Sequence, residues 1–252
     1  MGENRQSACC RAVAQSGHRA SEAQSALASQ GAFGIELCDL QNHLERIYEI
    51  DLDYKVDDFV TSNPALGAGT HPRSSQEKLL LVQDGEDLHV ALYLDAHVLE
   101  TLRDKEPHTC LHSDNLNAFL QVLEGVSHFI YLTWNAAYDK PVSLLELELQ
   151  AEVDKYITSA VYSGRRGVSG SGSVRRMLFA NPAYRAELDR VEHARYRRAN
   201  DFANAYCQRL EQSYRHDFCG PRMFNELRRF YRLPQAGKLR HIGIDRTSVS
   251  LS

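Results

Sequence analysis

The spacing of apolar side chains divides the chain into an opening with no pattern, a short stretch of period two and a long stretch of period near 3.6. Residues 1 to 32 are rich in Ala, Ser, Gln and Arg and have hardly any large apolar side chain. Such a segment buries too little surface to offset the entropy of ordering, and it is expected to be a disordered leader. From Ile35 to Ile50 the positions Leu37, Leu40, Leu44, Ile47 and Tyr48 recur at intervals of three and four, which predicts a short helix with one apolar face. The segment Thr61 to Ser75 holds Pro64, Gly67, Gly69 and Pro72 and reads as a loop. Next, Lys78 to Gln83 and Asp87 to Tyr93 flank Asp84-Gly85. Asp-Gly accepts the positive φ angles of a tight turn, and Leu88, Val90 and Leu92 alternate toward one face, so a β-hairpin is expected. Asp95 is placed to cap a helix through Leu102, and Pro107 closes the section.

Four helices are expected beyond it. The first, Asn115 to about Ala137 with Asp114 or Ser113 as cap, is apolar on nearly every side, as a buried helix is. The second runs from near Ser143 to about Tyr162; Leu145 to Leu149 alternates as a strand would, but the length of the segment favours helix. The Gly and Ser run from Ser163 to Ser173 is a flexible connection on composition. Asn181-Pro182 then opens a third helix reaching Tyr214, with Leu188, Val191, Ala199, Phe202, Tyr206 and Leu210 as its stripe. A fourth covers Pro221 to Tyr231 and stops at Pro234, leaving a short basic tail. The expected fold class is α+β: an N-terminal helix and β-hairpin followed by a mostly helical C-terminal half. Residues 33–252 form one globular domain in this reading, with an acidic, hairpin-containing part over 33–107 and a helical part over 113–252.

Composition narrows the function classes. Apolar and charged fractions of 43% and 25% are those of an ordinary globular protein. No window approaches the 18 or so apolar residues of a membrane span, and the start lacks the basic-then-apolar layout of a secretory signal, so a cytoplasmic protein is expected. The six cysteines, Cys9, Cys10, Cys38, Cys110, Cys207 and Cys219, contain no CxxC pair and read as reduced thiols, with Cys207 on an apolar stripe as a core residue. There is no Gly-x-Ser-x-Gly elbow, and Cys110 between His108 and His112 sits on an expected polar connection.

Charge adds an asymmetry. Residues 1 to 154 carry 10 basic and 25 acidic side chains and residues 155 to 252 carry 19 and 8, so the net charge of −4 is a split of −15 and +11. Either the halves neutralise each other in the fold, the plainer account, or the basic half meets an anionic partner. Arg165, Arg166, Arg175 and Arg176, in and just after the Gly-rich run, together with Arg198 on the third helix, form the candidate anion site. Tyr184, Tyr196, Tyr206, Tyr214 and Tyr231 interleave with the arginines, which brings nucleic acid into consideration although no nucleic-acid motif accompanies them.

The second candidate chemistry lies on the apolar helices. Glu124 and His128 are four apart on one face, and Glu148 and Glu152 repeat that spacing on the next helix. Antiparallel packing would gather three carboxylates and an imidazole, a set suited to Mn, Fe or Zn, with His193 as a further ligand. The expected helices carry no Glu-x-x-His of the di-iron kind, and the HExxH motif is absent. The plainer account is that Glu124 and His128 pair with each other or with Arg195 or Tyr196, and that Glu146 and Glu148 face water. The first functional expectation is a non-enzymatic binding or adaptor protein with no cofactor, turning a basic helical face toward an acidic protein or a nucleic acid. The alternative is a metal-dependent enzyme with its carboxylate and histidine site between two buried helices.

Overall fold

The computed structural model describes residues 37–63, 77–84, 87–104, 113–164, 171–180 and 188–243. The expected leader, most of the Pro- and Gly-rich segment and the centre of the Gly and Ser run lie outside these residues. The fold class is α+β: eight α-helices and one three-stranded sheet among the described residues. The chain divides into two compact units, Met1–Asn42 with Leu52–Lys140, and His43–Asp51 with Pro141–Ser252. Helix α1 (Leu37–Tyr48) contributes its first half to one and its second half to the other. Its apolar stripe is the one read from the sequence, since Leu37, Leu40, Leu44, Ile47 and Tyr48 are all buried. Glu49, at φ 48°, ends it in the left-handed conformation.

In the first unit, Gln41 ties α1 to the next segment by donating to the Tyr54 carbonyl and accepting from the Val56 N–H, both at 2.7 Å. A short 3₁₀ turn (Val56–Phe59) leads into β1 (Val60–Thr61), which pairs in parallel with β3. Strands β2 (Glu77–Asp84) and β3 (Asp87–Leu94) form the expected antiparallel hairpin, in a register that opposes Asp84 to Asp87. Residues 85 and 86 at its turn lie outside the described set. The sheet order is β1-β3-β2, so β3 is central, and Leu92, Tyr93 and Leu94 are buried on both of its faces. Asp95 caps α2 (Ala96–Asp104) as expected, its carboxylate accepting from the His97 N–H at 2.9 Å. Helix α3 (Ser113–Ala136) starts two residues before the expected position, which puts Asp114 in its first turn, where a negative charge favours the helix dipole. It packs on α2, β2 and β3.

In the second unit, Ser143 caps α4 (Leu144–Gly164) by accepting from the Glu146 N–H. This helix packs against α5 (Ser171–Phe179) and α6 (Arg190–Ser213). α7 (Pro221–Tyr231) and α8 (Gln235–Ile242) complete the unit. Among the described residues the helical half therefore has six helices where the sequence suggested four. α5 takes in the last residues of the Gly and Ser run, and α8 follows Pro234, which stands just before the first helical residue, where its missing N–H is harmless. α6 begins at Arg190, later than Asn181-Pro182, because Asp189 and Glu192 close a reciprocal capping box there.

Candidate metal centre

Glu124 and His128 leave α3 one turn apart, on the side that meets the hairpin. The third group arrives from β2. Glu77, the first residue of that strand, is paired across to Leu94, and its Oε1 lies 3.4 Å from His128 Nδ1. One ligand atom each from Glu77, Glu124 and His128 fall within 4.8 Å of one another. This is the one such grouping of three or more His, Cys, Asp or Glu side chains among the described residues. Glu77 and His128 are 6% and 5% exposed, and Glu124 is half-buried.

Placing two carboxylates and an imidazole together in a poorly solvated position carries a desolvation cost of several kcal/mol per ion and adds repulsion between the carboxylates. A divalent cation answers both terms at once. Zn²⁺ takes carboxylate oxygen and imidazole nitrogen at about 2.0 to 2.2 Å, so ligand atoms around one ion stand about 3 to 4 Å apart. The 3.4 Å from Glu77 Oε1 to His128 Nδ1 falls in that range, and the whole group lies within 4.8 Å. One imidazole with two carboxylates suits Zn, Mn or Fe better than the all-oxygen shells of Ca and Mg.

The backbone is shaped to permit the approach. Gly125 lies between Glu124 and His128, where a Cβ would meet Leu92 Cδ1 at 2.9 Å and Glu77 Cγ at 3.0 Å. A glycine inside a helix costs about 1 kcal/mol relative to alanine. Here it lets the aliphatic stem of Glu77 cross close to α3, which brings the carboxylate toward the imidazole.

The other residues read as ligands lie in the second unit and do not belong to this group. Glu148 has Arg195 Nε at 3.9 Å, and Glu152 accepts from Lys155 Nζ at 2.7 Å. Glu146 and Glu148, expected to face water, are 3% and 6% exposed, because α4 is enclosed on nearly every side. His193 is exposed near the start of α6. Arg165 and Arg166 lie outside the described residues. Arg175 donates to Glu211 and to Asn204, each at 2.8 Å, while Arg176 is exposed and Arg198 is half-buried on α6. Glu77 was missed because it precedes the apolar run of its strand. The usable signal was Gly125, since an isolated glycine in an apolar helix marks close approach of another chain segment.

Several basic side chains of the second unit are occupied inside it. Arg228 pairs with Glu49 and donates to the Ile47 carbonyl, and Arg232 donates to the Glu49 carbonyl, so both finish the C-terminal end of α1. Arg209 meets Glu226 and the His241 carbonyl. Cys207 is fully buried, which pushes its thiol above the usual range and leaves it unreactive. No helix among the described residues is long and apolar enough to cross a membrane. Comparison with protein-family models, with curated proteins and with solved structures finds no match to this chain.

Proposed function

We propose that this chain is a metal-binding protein in which Glu77, Glu124 and His128 hold one divalent transition-metal ion, Zn, Mn or Fe, between helix α3 and the β-hairpin. The observation that carries the reading is the convergence of three ligand atoms within 4.8 Å, with Glu77 arriving from 47 and 51 positions before Glu124 and His128, and with Glu77 and His128 both buried. Three protein ligands leave at least one coordination position for water, the arrangement of metal centres that activate a water molecule, so a metal-dependent hydrolytic activity is the enzymatic form of the proposal. The test is elemental analysis of untagged protein purified without chelator, and of apo-protein offered Zn, Mn and Fe(II) in turn. Near-stoichiometric uptake by the wild type, lost in both Glu77→Ala and His128→Ala, is expected. A folded wild type that takes up none of the three metals overturns the reading.

A second reading, of an anionic partner, is favoured by α7. Its exposed residues Arg222, Asn225 and Arg229 recur at intervals of three and four and put two arginines on the face away from the buried Met223, Leu227 and Phe230. Neighbouring tyrosines Tyr206 and Tyr231 are buried and unable to stack on bases, which favours an acidic protein over nucleic acid. Retention on immobilised poly-glutamate at low salt, abolished by Arg222→Glu with Arg229→Glu, is the expected result. Equal retention of the double variant removes this reading and leaves the metal centre untouched.

A further inference from the structure

The interior of the second unit holds an ionisable cluster that the metal centre does not use. Lys238, in α8, is fully buried, and its Nζ donates to Gln150 Oε1. Gln150 Nε2 donates in turn to Asp154 Oδ1 at 2.9 Å and to the Tyr48 hydroxyl at 3.1 Å, and Tyr48 itself donates to Asp154. Tyr48 stacks on Tyr231 with centroids 4.0 Å apart, and the Lys238 ammonium lies 4.8 Å from the Phe230 ring. The titratable groups around Lys238 are therefore Glu146 and Asp154 on α4, Tyr48 on α1, Tyr231 on α7 and, behind Phe230, Tyr206 on α6.

Helix α8 depends on this lysine to an unusual degree. It has eight residues, too few to stand alone as a helix, and its buried positions are Gly237, Lys238 and Leu239. Its polar ties stand at its ends: Ser143 to Gln235, Arg209 to the His241 carbonyl, and Glu226 to the His241 ring, which also lies against the Phe230 and Tyr206 rings. One of its two buried side chains is thus that of a lysine whose charge is unwelcome where it sits. Burial is the main effect and favours the neutral amine; the carboxylates of Glu146 and Asp154 offset part of it, and the balance brings Lys238 from 10.5 down to about 7.

We propose that Lys238 is a proton-operated latch: with its amine neutral, α8 stays docked against α6 with Lys238 held by Gln150 of α4, and protonation shifts the population toward an open form in which α8 melts away and the ammonium reaches water. The inference stands apart from the metal reading, since none of its residues lies in that centre. Docking favours the deprotonated amine, so the open form gains as pH falls from 10.5 to 7 and gains little more below that. Between pH 8.5 and pH 6 the opening equilibrium should rise roughly thirtyfold.

The experiment is hydrogen exchange of the full chain at pH 6 and pH 8.5, read by mass spectrometry on peptides covering α8 and corrected for the intrinsic pH dependence of exchange. Protection of residues 235–242 is expected to be lower at pH 6 by about that factor. Lys238→Met should show equal protection at both values, whereas His241→Gln, which removes the other ionisable group of α8 that meets a carboxylate, should keep the wild-type response. Unchanged protection of α8 in the wild type, the full response in Lys238→Met, or its loss in His241→Gln overturns the proposal. If Lys238→Met does not fold, the Lys238 Cε resonance of ¹³C-labelled wild type decides: a midpoint near 7 supports the latch and one above about 9 overturns it.

Discussion

Gly125 joins the fold of the first unit to its candidate chemistry. An alanine there would recover about 1 kcal/mol of helix propensity. The same methyl group would stand 2.9 Å from Leu92 Cδ1 and 3.0 Å from Glu77 Cγ, and Leu92 is fully buried in the central strand, so it has little room to retreat. Overpacking of this kind costs about 1 to 3 kcal/mol. Gly125→Ala is therefore expected to lower stability by roughly 1 kcal/mol net, measured as a lower denaturant midpoint with an unchanged slope. The more telling effect is on Glu77, which must move away from α3 to make room. Metal affinity measured by competition with a chromophoric chelator should fall at least tenfold. An alanine variant with wild-type affinity would show that the close approach of Glu77 serves packing alone.

At the scale of elements, the signals that worked were periodic or chemical, and those that failed were short. Helix α1 and the β-hairpin were legible because each repeats its apolar residues over several turns or alternations, and Asp95 because a capping carboxylate stands just before an apolar run. β1 was not legible: two residues, Val60 and Thr61, carry no period, and their pairing with β3 is a long-range fact. Helices α5 and α8 were missed for the opposite reason, since local composition argued against them. Ser171, Gly172 and Ser173 are poor helix formers, and packing of Val174 and Phe179 against the unit's core supplies what propensity lacks. The candidate metal centre is half legible. Glu124 and His128 share a helix and could be paired by spacing, whereas Glu77 depends on how the hairpin docks. The start of α6 is legible in Asp189-x-x-Glu192, which is a capping pattern. Its side chains make both reciprocal bonds, Asp189 accepting from the Glu192 N–H at 2.7 Å and Glu192 from the Asp189 N–H at 3.2 Å. Asp189→Ala is expected to destabilise the protein by about 1 kcal/mol and to fray the first turn of α6, seen as faster hydrogen exchange confined to residues 190–194.

On the scale of the whole chain, the charge split of the sequence changes meaning once the units are drawn. A boundary at residue 154 cuts through α4, whose acids Glu146, Glu148, Glu152 and Asp154 belong to the same unit as the arginine-rich helices, as do Glu45, Glu49 and Asp51. Much of the apparent asymmetry is thus neutralised within one unit, and some of it is spent in its interior, which makes stability respond to pH through a few buried groups. Lys238 is the first of these. Its folded value near 7 lies below the unfolded value of 10.5, so the unfolded chain binds the extra proton between them, and stability rises with pH across that interval at up to about 1.4 kcal/mol per unit. The gain between pH 7 and 8.5 is on the order of 1.5 kcal/mol. Above about 9 the sign reverses. Cys207 and the tyrosines Tyr48, Tyr206 and Tyr231 are pushed up by burial, so the folded state holds their protons after the unfolded chain, with ordinary values of 9.0 and 10.0, has lost them. Their contribution is whole below those unfolded values and is lost as pH climbs toward the folded ones. Urea unfolding at a series of pH values should therefore show stability climbing from pH 7, cresting between about 8.5 and 9.5 and then falling. Lys238→Met should remove the climb and keep the fall. A wild type already flat from pH 7 to 8.5 would mean that Glu146 and Asp154 hold the ammonium charged in the core, and that the buried network is an ion-pair cluster and not a neutral one.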